Sequence, residues 1–135
     1  MLKLKALLSM WLLIGALFVL LPAAAMPNYG TPTPATSDAE RGEAIFRRGT
    51  NGAPPCLSCH ALTPGGFAIA PIMAGISERA GRRVEGLDAE EYLHQSIVDP
   101  EAYIVPGFRA FMFPGYSDLL SENDIDDLIA FLMTQ

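Results

Sequence analysis

The amino-acid sequence predicts a small all-α domain that follows an apolar N-terminal segment. The 135 residues leave about 110 beyond that segment, which suits one domain. The remainder has helical spacing with repeated capping sequences, and no stretch shows the alternation typical of a strand. We expect about four short helices separated by long loops. Such a fold buries little apolar surface and needs a prosthetic group or a covalent staple for ordinary stability.

Residues 1–26 form the apolar segment. Lys3 and Lys5 precede a stretch without charge in which Ser9 is the only polar residue before Leu21. A basic start, an apolar run and small residues after it describe a cleavable signal, but the run is also long enough to cross a bilayer. The lysines favour the cytoplasmic side in both cases. We expect a single-pass membrane anchor helix, with the following domain on the periplasmic, extracytoplasmic side.

Residues 27–37 contain three prolines and no apolar period, so they predict an extended tether. Residues 38–135 form the predicted domain. Beyond Met26 the chain has seven arginines, no lysine and fifteen acids, hence a formal net charge of −8. This balance argues against binding to nucleic acid, whose phosphates require basic patches. It is compatible with a basic partner or simply with solubility.

The first helix is predicted to begin at Ser37, because Ser37 and Glu40 have the spacing of a capping box. The residues after it place Gly42, Ile45 and Phe46 on one face. Glycines then end the helix, and residues 51–71 should be mostly loop.

Two further helices are expected in the middle of the domain. A short one occupies residues 73–80, and a longer one begins at Asp88, which has cap spacing with Glu91. Asp99-Pro100 stops the longer helix. Its apolar positions follow mostly helical intervals: Leu87, Tyr92, Ile97 and Val98.

Residues 101–120 are predicted to be one long loop, because prolines and glycines interrupt them and no period is sustained. A loop of this length in a small domain is usually functional. Ser121 with Asp124 then begins the last helix. Its apolar stripe consists of Ile125, Leu128, Ile129 and Leu132.

Cys56-Leu57-Ser58-Cys59-His60 is the C-x-x-C-H pattern of covalent haem attachment. The two thiols add to the two vinyl groups of one porphyrin, and the adjacent histidine falls beneath the iron as an axial ligand. Cys56 and Cys59 are the only cysteines, so attachment uses both. The sequence therefore predicts one covalent haem c with its iron.

Three other interpretations of the cysteines are weaker. A thioredoxin-like pair should lie within a βαβ pattern, and neither flank resembles a strand. A zinc site could combine both cysteines and His60 with His94, but an adjacent Cys-His pair suits a tetrahedral site poorly. A plain disulfide would explain neither His60 nor the long loop.

Met112 is the favoured sixth ligand of the iron, because it lies in the middle of the long loop with a proline and a glycine after it. Met73, Met133 and His94 are the alternatives, and any methionine is more often core filler. His94 is expected on a helix surface. Six apolar or aromatic side chains are expected to lower the polarity around the iron: Phe67, Ile69, Ile76, Tyr103, Ile104 and Phe108.

These residues resemble the class I cytochromes c over nearly all of residues 38–135. Gly42–Phe46 is similar to the N-terminal helix motif of that family, and Leu128–Leu132 to the C-terminal helix that crosses it. Ala70–Ile76 is similar to the segment after the haem motif, which implies that the Pro71 carbonyl accepts a hydrogen bond from the imidazole of His60. Such an acceptor fixes the ring of the ligand. Alanine at position 70 replaces the more usual glycine.

Residues 92–112 resemble the cytochrome domains of membrane respiratory enzymes, and most closely the mono-haem subunit of alternative complex III. The resemblance implies single-electron transfer within a quinol-oxidising complex, with the other subunits and a soluble redox acceptor protein as partners. It implies no catalytic residue on this chain. The alternatives are a soluble or independently anchored carrier, and a haem sensor or enzyme with an open coordination site in which Met112 only packs.

Overall fold

Five helices and two 3-10 turns make up the regular structure of residues 37–135, the part of the chain that the computed structural model describes. This part contains no strand, so the predicted all-α class is confirmed. The 3-10 turns are Cys56–Ser58 and Ala80–Arg82. The helices are α1 Asp38–Arg48, α2 Ile76–Arg79, α3 Ala89–Val98, α4 Tyr116–Leu119 and α5 Glu122–Leu132.

The three longer helices begin where the sequence predicts. At the start of α1 the Ser37 hydroxyl accepts a hydrogen bond from the Glu40 amide, and the Glu40 carboxylate accepts one from the Ser37 amide. These bonds satisfy amides that have no partner inside the helix. The same reciprocal arrangement begins α3, at Asp88 with Glu91, and α5, at Ser121 with Asp124.

Helices α1 and α5 pack against each other and form the base of the fold. Gly42 of α1 lies directly against the α5 backbone, and the rings of Phe46 and Phe131 are 5.5 Å apart. Arg41 donates two hydrogen bonds to the buried carboxylate of Asp127, at 2.8 and 2.9 Å. The predicted buried faces of both helices are confirmed.

Two elements differ from the sequence prediction. Helix α4 lies inside residues 101–120, which were expected to be loop throughout, because one turn forms after Gly115 and buries Tyr116. Helix α2 begins only at Ile76, since the left-handed backbone of Gly75 (φ 67°) precedes it. The chain then continues as a 3-10 turn instead of ending at position 80.

Residues 49–75 and 99–115 are the two long segments without an α-helix. They supply most of the site described below. The predicted anchor, 1–26, and the predicted tether up to residue 36 lie outside the described residues. Within residues 37–135 no helix has the length and apolar character needed to cross a membrane.

Candidate functional site

A largely apolar cavity lies between the cysteine segment and the long loop that precedes α4. Side chains of α1, α3 and α5 also reach its wall, through Phe46, Tyr92 and Leu128. Ten of the eleven site residues predicted from the sequence line this single cavity: Cys56, Cys59, His60, Ile69, Pro71, Ile76, Tyr103, Ile104, Phe108 and Met112. The structure therefore brings together residues that are up to 56 positions apart in the chain.

Phe67 is the exception, and its predicted place in the apolar lining is corrected. Its side chain is 91% exposed and does not contribute to the cavity wall. A turn closed by the Gly66 amide on the Thr63 carbonyl, at 3.2 Å, comes directly before it. The chain re-enters the site only at Ile69, whose amide donates to the Cys59 carbonyl at 3.2 Å.

The C-x-x-C-H segment forms a 3-10 turn that gathers its three reactive side chains. The amides of Cys59 and His60 both donate to the Cys56 carbonyl, at 3.1 and 3.0 Å. Both thiols are free. Burial raises the pKa of the Cys56 thiol, an effect that the neighbouring Tyr116 hydroxyl partly offsets. Before haem attachment, Cys56 is thus a neutral thiol at the cavity wall at neutral pH.

His60 is oriented by the backbone of the segment that follows it. Its Nδ1 lies 2.7 Å from the Pro71 carbonyl oxygen. A carbonyl can only accept, so Nδ1 carries the hydrogen and Nε2 keeps its lone pair. Burial lowers the pKa of His60, and the hydrogen bond to Pro71 offsets this only in part. The ring is therefore neutral at pH 7, with a nitrogen suited to bind a metal ion.

Met112 and Met73 both line the cavity, whereas Met133 and His94 do not. Met73 is buried, and its amide donates to the Ala61 carbonyl at 2.8 Å, which fixes it beside the segment that holds His60. Met112 enters from the other loop. The ring of His94 lies on α3 with Nε2 3.4 Å from the Glu122 carboxylate. Its predicted surface position is confirmed.

Arg83 and Tyr116 are cavity residues that the sequence did not reveal. The Nε of Arg83 is buried and has no hydrogen-bond partner within residues 37–135. The hydroxyl of Tyr116 donates to the Pro54 carbonyl at 3.1 Å, and burial together with its contact to Cys56 raises the pKa of Tyr116. No sequence signal marks either residue, because Arg83 follows another arginine in a segment without helical periodicity and Tyr116 lies in a segment predicted to be loop.

The alternatives for the cysteines find no support in this geometry. A thioredoxin fold needs strands, which residues 37–135 lack. No cluster of three or more His, Cys, Asp or Glu side chains in the same range could hold a metal ion. Cys56 and Cys59 are not joined in a disulfide.

Two thiols and a neutral imidazole on the wall of an apolar cavity define a protein that attaches a haem covalently. The other wall residues fit that group. Apolar side chains suit the macrocycle, and the buried Nε of Arg83 offers a donor and a positive charge to a propionate carboxylate. No group within residues 37–135 forms a hydrogen bond with that nitrogen.

The family model of cytochrome c matches residues 39–135, and the chain belongs to the cytochrome c family. The comparison with curated protein sequences found no match. The resemblance to class I cytochromes c is thus supported at the level of the family. The chain carries covalently bound haem c with its iron, one haem suits a domain of this size, and its function is haem-based electron transfer.

Haem c supplies iron that exchanges one electron between its ferrous and ferric states. The residues of this chain hold it and set its surroundings. Cys56 and Cys59 would provide the two sulfur attachments, and the hydrogen bond to Pro71 leaves the His60 Nε2 available to the iron. The apolar walls would keep water from the bound group, and Arg83 would supply a positive charge in a setting of low polarity.

Proposed function

We propose that this chain is a one-electron carrier whose single haem has His60 and Met112 as its two axial ligands. The observation that carries the proposal is the shared cavity. A neutral imidazole fixed by Pro71 stands in one segment of its wall, and Met112 stands in the other. A histidine and a methionine together favour the ferrous state more than two nitrogens do, and so raise the reduction potential.

With both axial positions filled, the iron has no open site for a substrate. The chain then transfers electrons and performs no chemistry of its own. The competing function is that of a sensor or enzyme with an open sixth position, in which Met112 only packs. Met73 is the weaker candidate for the sixth ligand, because it is buried and its backbone is bonded to Ala61 in the segment that follows His60.

We further propose that the chain is a membrane-anchored subunit of a respiratory or photosynthetic quinol-oxidising assembly, of the kind represented by alternative complex III. The uncharged run within residues 1–26, the proline-rich residues 27–37 and the resemblance over residues 92–112 support this. In this arrangement the cytochrome domain works on the extracytoplasmic side. It passes electrons from the other subunits of the complex to a soluble redox protein.

The carrier function is tested by redox titration of the full-length protein with small mediators, monitored by absorption. We expect a single one-electron couple, and a ferric spectrum with the long-wavelength charge-transfer band of sulfur ligation. A ferric protein that lacks the band and binds imidazole as readily as an open haem would show that Met112 is not an axial ligand.

The proposed host complex is tested by identifying subunits that co-purify from mildly solubilised membranes. Purification of the chain alone would favour an independent carrier.

A further inference from the structure

The exposed large apolar side chains of residues 37–135 come only from the two segments that border the cavity. There are seven of them. Leu57, Phe67 and Ile69 belong to the cysteine segment, and the other four belong to the loop around Met112. No helix contributes one. Exposed apolar side chains concentrated beside one cavity usually mark a site of interaction.

The same two segments are nearly free of charge. Residues 49–77 contain no acidic or basic side chain other than His60, and residues 102–117 contain only Arg109. The guanidinium of Arg109 lies 5.9 Å from the centre of the Phe111 ring, a distance that allows a cation–π contact. All fifteen acidic residues of the chain lie outside both segments. An acidic protein thus presents an uncharged side around its cofactor cavity.

Part of this surface lies outside the cavity wall. Leu57 and Phe67 do not contribute to the cavity wall, so a haem bound there leaves both accessible. Leu57 stands between the two cysteines and therefore beside the edge at which the haem is attached. Ile69 and Phe111 are 57% and 70% exposed and also belong to the wall, so they join this surface to the cavity. We call Leu57, Phe67, Ile69 and Phe111 the apolar face.

We infer that the apolar face is the docking surface for a redox protein whose own contact surface is apolar and uncharged. This inference rests on the proposed electron-transfer function. A charged partner surface would lose its hydration at the apolar face without meeting an opposite charge, which is unfavourable. An anionic lipid surface would be repelled by the net negative charge of the domain. An uncharged protein surface meets neither obstacle, and it brings the partner to the attached edge of the haem.

The test measures oxidation of the full-length ferrous protein by stopped flow, with two small blue-copper proteins as acceptors. The copper of one lies beneath an uncharged apolar patch, and the patch of the other is flanked by lysines. We expect the apolar acceptor to react faster, with a rate constant that changes less than about twofold between low and high salt. Phe67→Glu should slow it by about tenfold or more, or roughly 1.4 kcal/mol.

Asn123→Glu is the matched control, since it adds the same charge at an exposed position on α5 away from the cavity. It should leave the rate within about twofold of the parent rate. Equal losses in both variants would overturn the inference, because net charge alone would explain them. A faster reaction with the lysine-flanked acceptor that declines steeply with salt would overturn it in favour of docking by the acidic surface.

A lipid role is the remaining outcome. If Phe67→Glu weakens binding to zwitterionic phosphatidylcholine vesicles but leaves both electron-transfer rates unchanged, the face contacts a membrane and the inference is wrong. Failure of the proposed carrier function is distinguishable from all of these results. It would appear in the parent protein as the absence of a reversible one-electron couple with small mediators, before any protein acceptor is added.

Discussion

Gly42 on α1 lies so close to Asp127 on α5 that a Cβ built on the glycine would stand 1.8 Å from the Asp127 carbonyl oxygen. The obstacle is backbone, which cannot rotate away as a side chain can. The two helices therefore cross in contact at this point. Phe46, Leu128 and Leu132 line the cavity just beyond the crossing, so the separation of the helices also determines the shape of the haem site.

Gly42→Ala should lower the free energy of unfolding by about 3 kcal/mol or more, since the helices must separate to admit the methyl group. Denaturant unfolding of the haem-loaded protein measures this. Gly52→Ala is the control. Gly52 has φ 87° and no atom within 4 Å of an added Cβ, so its cost is conformational only, about 1–2 kcal/mol. Equal losses for the two variants would show that the helices do not rely on close contact.

Arg83→Gln should lower the reduction potential by tens of millivolts. A positive charge beside the haem favours the ferrous state, which is the more negative of the two, and the interaction is strong where water is excluded. Arg82→Gln removes the same charge from an exposed side chain outside the cavity, where water screens it, and should leave the potential almost unchanged. Spectroelectrochemical titration of both variants measures the two reduction potentials. Equal shifts would exclude a direct role for Arg83.

Tyr116→Phe should weaken the attachment of the Met112 loop to the haem segment. The Tyr116 hydroxyl donates to the Pro54 carbonyl at 3.1 Å, and its ring packs edge-on against Phe113, with ring centres 5.2 Å apart. Loss of the hydroxyl leaves the carbonyl without that donor and costs about 1 kcal/mol. If Met112 ligates the iron, imidazole should bind the ferric protein several-fold more tightly.

Tyr103→Phe is the matched control for that experiment. Tyr103 also lines the cavity, where its ring packs against Tyr92 with centres 6.0 Å apart, but its hydroxyl makes no hydrogen bond within residues 37–135. Imidazole affinity should therefore stay at the parent value. An unchanged affinity in Tyr116→Phe would mean that the hydroxyl does not restrain the loop.

The sequence predicted the features of this protein that depend on local chemistry. Each capping box needs only two residues three positions apart, and the haem motif needs only five consecutive residues. The buried face of α5 could be predicted from helical periodicity alone. These signals do not require knowledge of the tertiary structure.

The features that escaped prediction depend on contacts between distant segments. Nothing near Arg83 indicates that its Nε is buried in the cavity wall, and Tyr116 gains its partner 62 residues earlier in the chain. Phe67 shows the converse error. Its apolar side chain suggested burial, but a turn at Gly66 leaves it in solvent. Residue type alone cannot distinguish the lining of a cavity from an apolar surface beside it.

Met112→Ala tests the axial assignment directly. If Met112 ligates the iron, the variant should lose the long-wavelength band of sulfur ligation and bind imidazole readily. Its potential should decrease by on the order of 100 mV, a modest part of the roughly 0.8 V range that axial ligands cover. The decrease follows because the thioether favours ferrous iron, whereas water or nitrogen in its place favours ferric iron.

Met73→Ala and His94→Ala serve as controls and separate ligation from packing. Met73 is buried, so its removal should cost about 2–4 kcal/mol of stability and leave the sulfur band intact. His94 lies on α3 beside Glu122 and outside the cavity, so its removal should change neither property. All spectra are compared at one pH, because a freed site can recruit a different ligand as the pH changes. If the band is lost in Met73→Ala and kept in Met112→Ala, the sixth ligand is Met73 and the Met112 loop only covers the haem.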